Sequence, residues 1–261
     1  MEPTMENFEA LMDSAWLAPE RYDTGEWVLR AADGVTQRAN SVWPRAEAVD
    51  TPAAVRAAAL WYRRRRLPAI YQVTDTPRNA ALNAVLDMQG YTRQSETLIM
   101  CRETGPSGPG SSGAHAPVEL ADDPSGEWLD LWWSVDGRGG PAELETARRI
   151  LTGCPSLYAL VRSDDGSPAA VGRLAVPSRG EGGHGGIYCM ATRPESRRRG
   201  FAGMVLRSLI DGAVAAEAGR LWLLVTASNP GARALYAKAG FQEVGRYSYR
   251  QERPKRALTG C

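Results

Sequence analysis

The chain contains 261 residues, 43% of them hydrophobic, and eight are tryptophans. This length suggests one large domain or two modest ones, with ample apolar material for a core. The formal net charge is +1, from 31 basic and 30 acidic side chains. Proteins that coat nucleic acid usually carry a strong basic excess, and anionic membranes attract basic surfaces, so the charge disfavours both as partners.

The cysteine, histidine and hydropathy patterns indicate a cytoplasmic protein without a metal site. The four cysteines have no CxxC spacing, which is typical of free thiols in a reducing compartment. With two histidines we expect no zinc site. No apolar run approaches the roughly 20 residues that span a bilayer, and the acidic N-terminus lacks the pattern of a secretory signal. We expect a monomer or a homodimer.

Helical and strand-like patterns alternate in the first part of the chain. In chain order they predict a helix over 4–15, strands near 26–32 and 36–43, a helix over 51–65, a strand from 70, a short helix before Gly90 and a strand over 92–101. The stretch TGPSGPGSSGAHAP, which begins at Thr104, cannot bury apolar surface. We therefore interpret 104–116 as a linker between domains at 1–103 and 117–261.

The second part of the chain shows the same alternation. Its patterns predict a strand over 117–121, helices over 125–134 and 141–152, hairpin strands over 157–163 and 168–176, a loop over 177–186, a strand over 186–192, a helix over 202–218, a strand from 222, a short helix before Gly240 and a strand over 242–251. Strands that alternate with amphipathic helices indicate an α/β fold (α+β, with a mixed sheet).

Two segments of the chain resemble each other: IYQVTDTPRNAALNAVLDMQGY from Ile70 and WLLVTASNPGARALYAKAGF from Trp222. Each consists of an apolar strand ending in Val-Thr, a polar turn, a short helix and a glycine followed by an aromatic residue. A helix precedes each segment and a strand follows it. This self-similarity predicts a duplicated domain, although chance also produces so common an arrangement.

The arginines of RPESRRRGFAGMVL, at 197–199, lie where a strand turns into a helix. Apolar residues from Ala202 onward repeat at helical spacing, so these arginines meet a helix N-terminus. The macrodipole makes cations unfavourable there by about 0.3–1 kcal/mol. Unpaired N–H groups, a glycine and guanidinium groups favour a bound phosphate over the alternative, a solvated basic loop. The run WYRRRRLP from Trp61 instead closes a helix and is interpreted as an exposed helix end.

These residues carry a resemblance to a known superfamily. RRRGFA, at 197–202, fits the [Q/R]-x-x-G-x-[G/A] pyrophosphate motif of the GNAT superfamily of acetyl-CoA-dependent N-acetyltransferases. ASNPGARALYAKAGF, at 227–241, resembles its second signature, and the similarity covers roughly 117–250. RANSVWP and QVTD in the first half resemble tandem members with less specificity. The resemblance implies a GNAT fold with two GNAT-like halves in tandem, of which the C-terminal one is complete.

The resemblance also implies a role for each matching residue. Acetyl-CoA is the implied co-substrate, with its pyrophosphate on backbone N–H groups of the turn and its pantetheine arm along the preceding strand. The implied acetyl-CoA-binding residues are Met190, Ala191, Thr192, Arg197, Arg198, Arg199, Gly200, Phe201, Ala202 and Asn229. Tyr236 is the implied general acid that protonates the leaving thiolate, although its helical pattern also fits a core tyrosine.

The first half lacks the chemistry that the resemblance gives to the second. Between RANSVWP and the helix near Thr51 the sequence reads RAEAVD, with no glycine for a phosphate turn. Leu86 occupies the position of Tyr236 when Gly90 is aligned with Gly240. We therefore expect a degenerate half that packs and shapes a pocket without turnover.

The group that takes a proton from the acceptor amine stays open. Members of the superfamily often use a carboxylate on the strand before the phosphate turn, but residues 187–190 include none. The candidates are Glu127, Asp130, Glu195 and, through water, Tyr188. A nucleophilic Cys189 is disfavoured because the pattern places no histidine nearby. Trp133 and Asp130 are candidates for contact with the acceptor.

Three functions are compatible with these residues. The first is an N-acetyltransferase that acts, by direct attack in a ternary complex, on a primary amine of a small molecule such as an amino acid or an amine-bearing natural product. The second applies the same chemistry to a protein lysine or N-terminus. The third is a non-catalytic acyl-CoA sensor, against which the intact Asn229 and Tyr236 weigh. We favour the first.

Replacing Arg197 and Arg199 together by glutamate reverses the charge at the expected phosphate site. We expect CoA to bind at least about tenfold more weakly, since hydrogen bonds to charged groups contribute about 1.5–3 kcal/mol each. Isothermal titration with CoA measures the effect. An unchanged affinity would place the phosphate site elsewhere.

Overall fold

The computed structural model of the chain describes residues 5–105, 118–178 and 183–253. The predicted linker lies outside the described residues from 106 to 116. Within the described part, no helix has the length and apolar character needed to cross a membrane.

Helices and strands alternate along the described residues. The helices are α1 (Met5–Ala15), α2 (Thr51–Arg64), α3 (Ala80–Met88), α4 (Gly126–Asp136), α5 (Pro141–Leu151), α6 (Phe201–Ala215) and α7 (Pro230–Lys238). The strands are β1 (Glu20–Asp23), β2 (Trp27–Ala31), β3 (Val42–Pro44), β4 (Ile70–Thr74), β5 (Thr92–Glu103), β6 (Glu119–Ala121), β7 (Ser156–Arg162), β8 (Pro168–Ser178), β9 (Gly183–Thr192), β10 (Ala218–Thr226) and β11 (Gln242–Gln251).

The chain folds into two compact units, and each draws on both sequence halves. The larger unit takes its described residues from Met1–Leu17, Leu98–Val225 and Asn229–Val244. The smaller unit takes its described residues from Ala18–Thr97, Thr226–Ser228 and Gly245–Cys261. The boundaries of the two units therefore differ from those of the predicted domains at 1–103 and 117–261. These domains remain a prediction about the two halves of the sequence.

The sheet of the larger unit has the strand order β5–β10–β9–β8–β7–β6. β9 and β10 are parallel, whereas β6 to β9 pair antiparallel in succession. β5 takes part through its second half, and next to it Thr104 N–H donates to Gly219 C=O at 3.0 Å. α6 packs across β7, β8 and β9, and α4 packs across β8 and β9.

The sheet of the smaller unit has the order β1–β2–β3–β4–β11–β5. β11 pairs antiparallel with β4, from Tyr247 opposite Thr74 to Gln251 opposite Ile70. β3 and β4 are parallel. The core of this unit includes Leu86, which is fully buried. The mixed sheet that the sequence predicts is thus confirmed in both units.

The predicted strand over 36–43 is wrong for its first part. Residues Arg38–Asn40 form a 3₁₀ turn, and the strand is reduced to β3. The cause is Asn40, whose amide nitrogen donates to Val35 C=O at 2.7 Å and whose oxygen accepts from Ala32 N–H at 2.8 Å. Such side-chain bonds offer the backbone an alternative to a ladder. β1 was not predicted, because its four residues are all exposed and show no alternation.

The predicted loop over 177–186 is also wrong in part, since β8 continues to Ser178 and β9 begins at Gly183. The glycines here serve close packing instead of a turn. A Cβ on Gly186 would lie 2.4 Å from the Trp222 ring, and one on Gly185 would lie 2.8 Å from Leu221. Residues 179–182 of the predicted loop lie outside the described residues.

The two similar sequence segments end their helices in the same way. Gly90 and Gly240 both adopt a left-handed φ, of 75° and 86°. The following N–H reaches back into the helix, from Tyr91 to Leu86 C=O at 2.9 Å and from Phe241 to Tyr236 C=O at 3.0 Å. Leu86 therefore stands in its helix where Tyr236 stands in the other, as the aligned glycines predict.

β5 comes from the first sequence half but contributes to the larger unit, and β11 comes from the second half but contributes to the smaller unit. One arginine on each of these exchanged strands donates hydrogen bonds to the end of a helix from the other sequence half. In the smaller unit the fully buried Arg250 of β11 donates to Asn83 Oδ1 at 2.8 Å, to Asp87 and to Tyr91 C=O at 3.3 Å. In the larger unit Arg102 of β5 donates to Ala239 C=O at 2.6 Å. Arg250 thus fixes β11 to the C-terminal end of α3, and Arg102 fixes β5 to the C-terminal end of α7.

Arg250→Ala should destabilise the protein by about 2–4 kcal/mol, because it empties a buried site and leaves helix-end groups unpaired. The matched control is Arg246→Ala on the same strand, which removes a largely exposed ion pair with Glu96 and should cost about 0–1 kcal/mol. Urea unfolding measures both. Equal losses would show that Arg250 contributes no more than a surface arginine.

Candidate active site

The parallel strands β9 and β10 part in the middle of the larger unit. Their register runs from Gly183 opposite Ala218 to Ile187 opposite Leu223 and ends there. β9 continues to Thr192, so the predicted residues Met190, Ala191 and Thr192 lie beyond the paired segment. An edge of this kind can accept an extended ligand as an added strand.

A bulge changes the direction of β9 beside this edge. Val171 lies opposite Ala191 and Arg173 opposite Tyr188, so Cys189 and Met190 together oppose Gly172. Cys189 takes up the extra residue with a φ of 54°, unusual for a side chain other than glycine. A Cβ on Gly172 would lie 2.7 Å from Met190 Sδ, so the Met190 side chain fills that space and its backbone remains at the edge.

The arginine turn opens α6 with backbone groups that lack intrahelical partners. Gly200 is the N-cap, with a φ of 89°, and Arg198 also has a positive φ, of 62°. The first turn of the helix closes with the hydrogen bond from Met204 N–H to Gly200 C=O at 3.1 Å, so the N–H groups before it have no acceptor within the helix. A Cβ on Gly200 would meet no heavy atom within 4 Å. Open space thus lies over a helix start that favours anions.

Two arginines of the turn, Arg197 and Arg199, have different surroundings. Arg199 donates to Asp164 at 2.7 Å and lies 5.1 Å from the Phe201 ring centre. Arg197 interacts electrostatically with the carboxylate of Asp136. Phe201 buries its side chain, which leaves the backbone as the part of this residue that faces the turn. In this structure Arg199 is thus held by a carboxylate instead of reaching over the turn.

Tyr236 is the buried residue of α7. Its ring contacts Phe241 edge-on at 6.3 Å. Burial, and then the negative charge of Asp136, raise the pKa of Tyr236 to about 12, so the hydroxyl keeps its proton at neutral pH. Among the described residues the hydroxyl has no hydrogen-bond partner. A buried phenol without a partner is a proton donor that a ligand can use.

Asn229 caps the helix that carries Tyr236. Its Oδ1 accepts from Ala232 N–H at 3.0 Å, which occupies the oxygen and leaves the amide N–H donors for another partner. The residue therefore holds the start of α7 where β10 ends, a structural role that the sequence analysis did not consider.

The predicted proton acceptors are engaged elsewhere or lie at the surface. Glu127 is paired with Arg162 at 2.6 Å, which lowers the pKa of its carboxyl group. Glu195 lies 3.9 Å from Arg193, and Asp130 is exposed. Tyr188 is buried, and its hydroxyl accepts from Trp222 Nε1 at 3.1 Å. None of these contacts brings a predicted acceptor to Tyr236.

Asp136, at the end of α4, is a site residue that the sequence analysis missed. The residue is exposed, and nearby protein atoms partly desolvate its carboxyl group. Burial raises the pKa of Asp136, and the positive charges of Arg138 and Arg197 oppose the rise. The predicted helix ends at 134, two residues before Asp136, so the sequence did not identify this carboxylate as a helix-end group.

Trp128, Leu131 and Trp132 lie at helical spacing on one face of α4, and all three are buried. Trp128 Nε1 donates to Ala159 C=O at 3.1 Å and to Gly172 C=O at 3.3 Å, at the level of the β9 bulge. Trp133 is half-buried. α4 thus crosses the sheet over the bulge and ends at Asp136.

The fold and this site together define the class: the protein is an acyltransferase of the GNAT superfamily, an N-acetyltransferase with the tandem form of that fold. Within the class, the chain belongs to the family described as "Probable histone acetyltransferase Rv0428c C-terminal", whose model matches residues 4–250.

Individual proteins show the same kinship. The chain is 27% identical to the uncharacterised N-acetyltransferase YobR of Bacillus subtilis (strain 168), over 94% of this chain and 97% of that one. The structure matches a GCN5-related N-acetyltransferase from Kribbella flavida with a TM-score of 0.72 and 17% identity, over 97% of both chains. It matches a tandem GNAT protein from the clavulanic acid biosynthesis pathway with a TM-score of 0.66 and 12% identity, over 96% of this chain and 88% of that one.

Gly200→Ala tests the open space over the turn. An alanine forced to a positive φ costs about 1–2 kcal/mol of stability, and its methyl group occupies the space where we expect a phosphate. We expect CoA affinity to fall by about tenfold or more, roughly 1.4 kcal/mol. Equilibrium binding measured on protein shown to be folded checks this.

The matched control is Gly203→Ala, inside the same helix, where a Cβ would make an ordinary contact at 3.5 Å to Arg207. Helix propensity predicts a gain of about 0.5–1 kcal/mol in stability and unchanged CoA affinity. If both alanine variants bind CoA like the unchanged protein, the start of α6 does not hold the phosphates.

Proposed function

We propose that the protein transfers an acetyl group from acetyl-CoA to a primary amine of a small molecule, by direct attack in a ternary complex. The observation that carries the proposal is the helix start at Gly200, which leaves N–H groups unpaired beneath open space at the end of the strand that parts from β10. The unpaired edge of β9, Asn229 and Tyr236 each gain a role once an acyl carrier binds at this helix start.

The residues present fit acetyl-CoA. The N–H groups from Arg198 to Ala202 would bind its pyrophosphate, with Arg197 and Arg198 near enough in sequence to add charge. The free edge of β9 at 190–192 would pair with the pantetheine arm, and the amide nitrogen of Asn229 would donate to it. When bound, the thioester supplies an acetyl group that is activated toward amines.

Tyr236 would act as the general acid. Its raised pKa keeps the hydroxyl protonated over the whole range in which an enzyme of this kind works, so a proton is always available to the departing sulfur. Because no described residue competes for that hydroxyl, a sulfur atom near the end of β10 can accept from it.

The charges near the site favour a small acceptor over a basic protein segment. Among the described residues, the charged groups that interact with Asp136 are Arg138 and Arg197, so one carboxylate lies between two positive charges. A lysine-rich segment would be attracted by an acidic groove and repelled by this arrangement. The name of the family, a probable histone acetyltransferase, makes a protein lysine the second candidate acceptor.

The test is thiol release from acetyl-CoA with a panel of small amines and of lysine-containing peptides. Tyr236→Phe should lower kcat by about 100- to 10,000-fold and leave CoA binding intact, since general acid catalysis typically contributes that much. Tyr22→Phe, at an exposed tyrosine of β1, is the matched control and should be fully active.

Each outcome separates the candidates. Turnover of small amines supports the proposal, and turnover of peptides alone supports the protein acceptor. Tight CoA binding without turnover of any amine would make the protein an acyl-CoA sensor. Equal rates for Tyr236→Phe and the unchanged protein would remove Tyr236 from the mechanism.

A further inference from the structure

We propose that Asp136 is the general base that takes a proton from the acceptor ammonium group. The inference rests on the proposed function and deepens it, because it assigns the one step for which the sequence offered no carboxylate in the expected strand. It also states what the acceptor must be: an amine that arrives mainly protonated.

The electrostatic cost of a carboxylate at position 136 points to a functional role for its charge. It is the last residue of α4, where the negative end of the helix dipole repels a carboxylate. The helix end is held firmly, since Gly137 N–H donates to Trp133 C=O at 2.9 Å and a Cβ on Gly137 would lie 2.2 Å from the Trp133 ring. The backbone at Asp136 is thus held by an ordered helix end.

Three charged or titratable groups face Asp136 from the elements around it. Arg138 follows on the same loop, Arg197 belongs to the turn before α6, and Tyr236 belongs to α7. Partial desolvation raises the pKa of the Asp136 carboxyl group, and the positive charges of the two arginines oppose that rise. Tyr236 is held in its protonated form by the same neighbourhood. Two groups whose environments suit opposite proton transfers are the pattern of an acid–base pair.

Asp136 and Trp133 also lie one helical turn apart on α4, so they share a face. A half-buried indole next to a carboxylate suits an ammonium group, which gains attraction from both. Glu127, Glu195 and Tyr188 have partners that hold them away from this role.

The proposed step balances in protons and in electron pairs. The ammonium nitrogen gives one proton to the Asp136 carboxylate and uses the freed electron pair to form the N–C bond. The C–S bond breaks with its pair on sulfur, which takes the proton of the Tyr236 hydroxyl. The nitrogen then loses a second proton, which restores that hydroxyl, and Asp136 releases its own to solvent. The products are the amide, the free thiol and one proton.

The experiment compares Asp136→Asn with the unchanged protein over a range of pH and amine basicity. For an alkylamine, we expect kcat to fall by about 100- to 10,000-fold at neutral pH, with the KM for acetyl-CoA unchanged. The loss should shrink as pH rises, and it should be small for an aromatic amine, which is already neutral. Glu145→Gln, an exposed carboxylate on α5 paired with Arg148, is the matched control and should behave like the unchanged protein.

A structural role alone would lower the rate for both amines equally and leave the pH profile unchanged, and that result would overturn the proposal. A second measurement does not depend on turnover: ¹³C NMR titration of the aspartate carboxyl groups, with the Asp136 signal identified by its loss in Asp136→Asn. Titration above the ordinary aspartate value of about 3.9 supports the role, and an ordinary value overturns it.

The outcomes also keep the two proposals apart. If the unchanged protein acetylates no amine, the proposed function fails, and the base assignment fails with it. If it acetylates alkylamines and Asp136→Asn does so equally well, only the base assignment fails. If Asp136→Asn does not fold, Asp136→Glu replaces it and should keep the pH dependence with a displaced acid limb; an unchanged limb would overturn the assignment.

Discussion

The parting of β9 from β10 after Ile187 and Leu223 is the constraint on which the rest of the site depends. Parallel strands need crossover helices, so each of these strands leaves its carboxyl end into a helix, α6 or α7. Both helix starts therefore meet at one edge of the sheet. The unpaired part of β9, the turn at Gly200 and the helix with Tyr236 share a location because of topology, and their chemistry follows from it.

The sequence predicts the parts of this site that depend on neighbours in the chain. A glycine before an apolar helical pattern identifies the turn, and a strand followed by a capped helix identifies Tyr236. Asp136 could not be found in this way, because its surroundings come from Arg197 and Tyr236, far along the chain. The bulge at Cys189 could not be predicted from the sequence for a similar reason, since a left-handed φ at a cysteine is imposed by the facing strand. The contacts of Arg250 with Asn83 also join distant segments.

Comparison of the two similar segments distinguishes the residues that maintain the backbone from the residue suited to catalysis. Gly90 and Gly240 close their helices with the same hydrogen bonds, so the frame is preserved in both. Leu86 is fully buried in the core, whereas Tyr236 carries a hydroxyl that no described residue uses. An apolar side chain at this position suits packing, and a phenol there suits proton transfer.

The placement of β5 and β11 has a consequence for truncation of the chain. Because β5 contributes to the sheet of the larger unit and β11 to that of the smaller, removal of either sequence half would also take a strand from the sheet of the other. Unpaired sheet edges invite aggregation, so a truncated chain would expose such an edge. A half without chemistry of its own is therefore still needed to complete the sheet that carries the chemistry.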